Sequence, residues 1–126
     1  MTKKIFETSK APKPIGPYNQ ATGFGNLIFT CGNIALDAET GEMETGGIQA
    51  EAEKSIENMK AILEESGSDL SKVLKTTVFL KNMSDFIAFN EIYAKYFSEN
   101  SPARSAVEVA ALPKNALIEI ECIAYV

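Results

Sequence analysis

The stretch Leu117–Tyr125 reads LIEIECIAY, and its alternation decides the fold. Ile118, Ile120, Cys122 and Ala124 fall on one face, while Leu117, Ile123 and Tyr125 share the other with Glu119 and Glu121. Period-two alternation marks a β-strand. Apolar residues on both faces predict cover on both faces, which a second copy of the chain would supply. Working back, Leu112–Ala116 around Pro113 is a connection, and Arg104–Ala111 is a second alternating strand. Its Ser105, Val107, Val109 and Ala111 are expected on the core side, with Arg104, Ala106, Glu108 and Ala110 opposite.

Further back lie two helices and three more strands. Phe86, Phe89, Tyr93, Tyr96 and Phe97 recur at helical spacing behind Ser84, a plausible N-cap, and Glu99–Pro102 ends that helix. The aromatic stripe is read as core. Val73–Leu80 is a strand with Leu74, Thr76, Val78 and Leu80 on one side. Ile48, Ala52, Ile56, Met59 and Leu63 mark the buried face of a longer helix, preceded by Gly46-Gly47 and stopped by Gly67. Glu51, Glu53, Lys54, Glu57 and Lys60 are expected in solvent. Gly25-Asn26 between Tyr18–Phe24 and Leu27–Cys31 is a two-residue hairpin signal. Asn33–Leu36 extends the second arm past Gly32, where a glycine implies a bulge or a close approach by a ligand. Asp37–Gly41 is a turn, and the proline-rich Ala11–Pro17 is a rigid non-helical segment.

The order is strand, strand, helix, strand, helix, strand, strand. Two amphipathic helices cover one face of such a sheet, so the expected fold is a two-layer α+β domain over residues 1–126, with a mostly antiparallel mixed sheet. If Ala111 pairs with Ala116, Glu108 faces Glu119 and Ala106 faces Glu121. Carboxylates crowded in that way recruit a cation or have perturbed pKa values.

Composition prunes the function classes. The chain has 126 residues, 45% hydrophobic and 23% charged, which suits a globular protein. A net charge of -5 with scattered basic residues argues against nucleic acid as a partner. Cys31 and Cys122 lack metal-site or disulfide-framework spacing and read as small buried hydrophobes. With no histidine, histidine-based triads are excluded, and proton transfer falls to Asp, Glu, Lys, Tyr, Cys, a chain terminus or water. No signal segment or run of about 18 apolar residues is visible, so no membrane partner and a cytoplasmic location are expected.

The informative chemistry lies in SPARSAVEVAALP, Ser101–Pro113. Arg104 opens a strand among small residues, and its planar fork matches a carboxylate or phosphate. Spacing leaves two readings open: a ligand clamp, or a salt-bridge partner of Glu108, Glu119 or Glu121.

PARSAVEVAALP followed by IEI at Ile118–Ile120 resembles the signature of the Rid family of enamine/imine deaminases. IGPY at Ile15–Tyr18, Gly-Asn before LIFTCG, KTTVFLKNMSDF at Lys75–Phe86 and FNEIYAKYF at Phe89–Phe97 resemble it as well, so the likeness spans essentially the whole chain. The resemblance implies a chorismate-mutase-like fold, a homotrimer with clefts between subunits, and no cofactor or metal. It implies Arg104 as the carboxylate clamp and Glu119 as the group that orients water and moves protons. Tyr18 and Asn90 would line the pocket, and backbone at Gly32 and Ala106 would touch the ligand, with Cys31 at the pocket edge. The implied activity is that of a 2-iminobutanoate/2-iminopropanoate deaminase. It would hydrolyse imines such as that of 2-aminoacrylate, a product of pyridoxal-phosphate dehydratases, to 2-keto acids and ammonia. Two positions depart from the family pattern: Ala106 stands where cysteine is common, and Cys31 where serine is common. Rival readings are a non-catalytic keto-acid or amino-acid binder, a translation inhibitor or ribonuclease, and an isomerase suggested by fold analogy alone.

Overall fold

The computed structural model describes all residues, Met1–Val126. Strand β6 (Ile118–Tyr125) runs through the sheet interior between β3 (Leu27–Thr30) and β4 (Val73–Leu80), antiparallel to both. β2 (Ala21–Phe24) pairs antiparallel with β3 across the Gly25-Asn26 turn, where Gly25 has φ 60°. β1 (Lys4–Phe6) closes that edge on β2, and β5 (Ala103–Glu108) closes the other, parallel to β4. The sheet is therefore mixed and mostly antiparallel, in the order β1-β2-β3-β6-β4-β5.

Helices α1 (Ile48–Glu65) and α2 (Phe86–Phe97) pack on one face of this sheet. Ile118, Ile120, Cys122 and Ala124 of β6 are buried beneath them, with Ala52, Ile56, Met59 and Leu63 of α1 in the same core. The periodicity of α1 thus marks its buried face. Its end is a two-bond glycine stop: Gly67, at φ 86°, donates to the Glu64 carbonyl and Ser68 N–H donates to the Leu63 carbonyl. The opposite sheet face carries Phe24, Leu27, Phe29, Val107 and Tyr125, all exposed in the single chain.

Several expectations are corrected. β5 and β6 do not form a hairpin. β4, α2 and β5 form a strand–helix–strand crossover, whose return strand lies parallel to the first. β6 pairs instead with β4 and β3, so Glu119 opposes Phe79, and Glu108 accepts a hydrogen bond from Met83 N–H at 2.7 Å. The inner side of β5 is the one carrying Arg104 and Ala106, because α2 lies over that side, while Ser105 and Val107 are exposed. Leu74 is exposed because an irregularity between Val73 and Lys75 shifts the register ahead of Thr76, Val78 and Leu80, which are buried. Ser84 caps nothing: it lies inside a 3-10 turn, Met83–Asp85, which places Asp85 at the cap position. Glu51 is buried rather than solvated, and its Oε1 accepts the Leu117 N–H at 2.9 Å. β1 is an addition to the expected order.

No helix is long and apolar enough to cross a membrane. Both cysteines are free, Cys122 fully inside and Cys31 partly so.

Candidate functional site

The residues singled out in the sequence fall into two groups on opposite faces of the sheet. Glu119 alternates with the buried Ile118 and Ile120, so it points away from the helices. It lines a cleft of about 600 Å³ with Tyr18, Cys31 and Gly32. Pro12, Lys13 and Ile15 from the proline-rich segment form one wall, and Phe29, Ile34, Leu36 and Pro113 add further apolar surface.

The floor explains Gly32. A Cβ built there would overlap Glu119 Oε2 and lie 2.7 Å from Glu119 Cδ. The glycine therefore admits a side chain of this chain, where the sequence had suggested a bulge or a ligand. Beyond it, Asn33 N–H donates to the Ile120 carbonyl at 2.7 Å and Ile120 N–H returns the bond at 3.0 Å. This bridge fixes Gly32 beside Glu119.

The local electrostatics are acidic and partly dry. Burial, reinforced by the charge of Glu121, pushes the Glu119 pKa above its ordinary value. Burial likewise raises the Cys31 thiol from its ordinary 9.0 to about 11, with Glu119 and then Glu121 adding to the shift against an opposing backbone hydrogen bond. At neutral pH Cys31 is thus a neutral thiol and a poor nucleophile. Because a shift from 9.0 to about 11 cuts the thiolate fraction by two powers of ten, iodoacetamide labelling of Cys31 at pH 8 should be roughly a hundredfold slower in the native protein than in the urea-unfolded chain. Mass-spectrometric labelling kinetics check this, and equal rates would contradict the assigned protonation state.

The second group is built on β5 and α2. Arg104 lies beneath α2 with its guanidinium carbon 4.7 Å from the Tyr93 ring centre, 5.4 Å from Phe86 and 5.7 Å from Phe89. Its Nη1 donates to Asn90 Oδ1 at 2.8 Å. Tyr93 is anchored in turn by a 2.7 Å hydrogen bond to Thr76, beside Arg104 on β4. The aromatic stripe of α2 is therefore core, and its Phe89 and Tyr93, with the partly buried Phe86, also form the platform for Arg104. Ala106 follows on the same face of β5, packed against the core. Arg104 pairs with none of Glu108, Glu119 or Glu121, since the chain's one salt bridge joins Lys54 to Asp37 at 3.6 Å. A half-buried guanidinium without a counter-charge is a ready partner for an external anion.

Two further residues escaped the sequence reading. Gln20, buried, and Glu51, on α1, hold the segments that flank the cleft. Their signal was a polar side chain inside an otherwise patterned stretch, which spacing alone does not separate from a solvated one.

Comparison with known proteins finds close relatives over nearly the whole chain. A RutC family protein of Pyrococcus abyssi is 55% identical, covering 99% of this chain and 98% of its own. A 2-iminobutanoate/2-iminopropanoate deaminase of Dermatophagoides farinae is 47% identical over 96% of this chain and 94% of its own. The crystal structure of E. coli TdcF with bound serine superposes with a TM-score of 0.93 at 42% identity, covering 98% of both chains. The family model described as Endoribonuclease L-PSP matches residues 8–126. Carrying that match over nearly its whole length, together with relatives of both the RutC and the deaminase names, this chain belongs to the L-PSP family, also called RutC or Rid.

Proposed function

We propose that the chain is a metal-free deaminase that hydrolyses small 2-imino acids, such as the imine of 2-aminoacrylate, to 2-keto acids and ammonia. The observation that carries the reading is Arg104: a guanidinium fork oriented by Asn90 and three aromatic rings, with no carboxylate of its own chain to neutralise it. A substrate carboxylate supplies that charge. The bound serine of the E. coli relative, a small amino acid, is in keeping with this class.

The imine carbon is already electrophilic, so the reaction needs positioning and proton transfer rather than a covalent nucleophile. Water adds its oxygen to the carbon of the solvent-protonated imine, the carbon–nitrogen π pair moves onto nitrogen, and Glu119 takes the proton that the water loses, leaving a neutral hydroxy-amine. Glu119 then gives that proton to the nitrogen as the carbon–nitrogen bond breaks; ammonia leaves, and the hydroxyl proton passes to Glu119 and on to solvent as the keto group forms. A carboxylate whose pKa is raised by burial suits both steps.

One chain does not complete this site. Arg104, Asn90 and Ala106 lie on the helix side at the β5 edge, whereas Tyr18, Cys31, Gly32 and Glu119 lie on the uncovered face. A closed ring of copies, a homotrimer, would set the edge of one chain against the cleft of the next and cover Leu27, Phe29, Val107 and Tyr125.

The test generates 2-aminoacrylate from serine with a pyridoxal-phosphate dehydratase and follows keto-acid release with and without the protein. The expected result is acceleration in proportion to protein concentration. A folded protein that binds 2-oxobutanoate yet leaves the rate unchanged would instead support the binding-module reading.

A further inference from the structure

Gln20 is a buried amide whose side chain is devoted to one short piece of main chain. Its Oε1 accepts from Thr8 N–H at 2.7 Å. Its Nε2 donates to the carbonyls of Pro12 at 2.8 Å, Thr8 at 3.1 Å and Ala11 at 3.3 Å. Its own carbonyl accepts from Cys31 N–H at 2.8 Å. One residue thus ties the chain entering the proline-rich segment to the strand end that carries Cys31 and Gly32.

That segment cannot hold itself. Pro12, Pro14 and Pro17 have no N–H, so it joins neither a helix nor a sheet ladder. Ala11 is buried beside Gln20, and at the far end Ile15 N–H donates to the Tyr18 hydroxyl at 3.2 Å. Between these anchors Pro12, Lys13 and Ile15 form the cleft wall.

We propose that Gln20 is a positioning residue of the site: by fixing the Thr8–Pro12 main chain against Cys31, it sets the wall that packs on the carbon chain of the bound imino acid. The activity part of this inference rests on the deaminase reading; the structural part does not. Gln20 touches no substrate, so its effect falls on binding rather than on the chemical step.

The experiment compares wild type with Gln20→Met, which keeps length and removes every side-chain hydrogen bond, and with Gln20→Glu, which keeps the acceptor for Thr8 and loses the donors. Limited trypsinolysis reports the wall directly, because the Lys10–Ala11 bond is followed by a residue only 1% exposed. Cleavage there, identified by mass, should accelerate in both variants. KM for the imine should rise about tenfold, the equivalent of roughly one or two lost hydrogen bonds, with kcat within about twofold. Gln20→Glu carries the same readings if Gln20→Met fails to fold. Unchanged cleavage overturns the proposal, and so does faster cleavage with unchanged KM. If wild type turns over no imine, the deaminase reading fails separately, and calorimetric affinity for 2-oxobutanoate replaces KM: equal affinities, or no binding by wild type, overturn the positioning role.

Discussion

Replacing Arg104 by lysine is expected to lower kcat/KM for imine hydrolysis by roughly a hundredfold or more, although the charge is kept. Guanidinium engages Asn90 Oδ1 at 2.8 Å through one arm and leaves its other donors for a carboxylate in the plane of the fork. Lysine offers a rotating point charge in place of a planar group held over the Tyr93, Phe86 and Phe89 rings. Both the aim and the number of donors are lost together. Stability should fall much less, by about 1–2 kcal/mol, because the side chain is only half-buried and cation–aromatic contacts are individually modest. Steady-state kinetics beside a thermal melt separate the two effects. Activity of Arg104→Lys within threefold of wild type would remove Arg104 from the clamp role.

Gly32→Ala should be nearly as damaging to turnover while barely changing stability. The added methyl would occupy the space of the Glu119 carboxylate, and the colliding atoms are the far end of a side chain that can swing aside. Expulsion of Glu119 would remove the group proposed to handle protons, so a loss of about a hundredfold in kcat is expected, within the usual range for general acid–base catalysis. The decisive measurement is a double-mutant cycle. If Gly32 acts by making room for Glu119, Gly32→Ala has little further effect once Glu119 is alanine. Additive losses would show that Gly32 serves the site in some other way, such as direct backbone contact with the ligand.

Much of this protein is legible in local patterns, because those patterns arise from interactions within a few residues. The α1 stripe from Ile48 to Leu63 follows helical spacing, and Gly67 at φ 86° is the stop that only a residue without a Cβ adopts cheaply. The hairpin turn and the alternating β6 are equally local. β1 carries no local signal, because Lys4–Phe6 is too short to show a period. The neighbour of β5 is not set locally either, since the short connection around Pro113 looks like a hairpin although β5 pairs with β4. The spacing of β4, α2 and β5 held the better signal, a crossover that demands parallel strands.

What the sequence by itself determined is the element order from β2 onward, the apolar faces of α1 and β6, the exclusion of histidine chemistry and the choice of Arg104 and Glu119 as the residues to watch. Only the tertiary structure decided where those residues stand relative to each other. Alternation assigns a residue to one of two sides of its own strand, but which side meets the helices depends on the packing of segments far apart in the chain. That packing turned Arg104 toward α2 and Glu119 away from it, through the floor opened by Gly32. It thereby put on opposite sheet faces two residues that lie close together in the family signature.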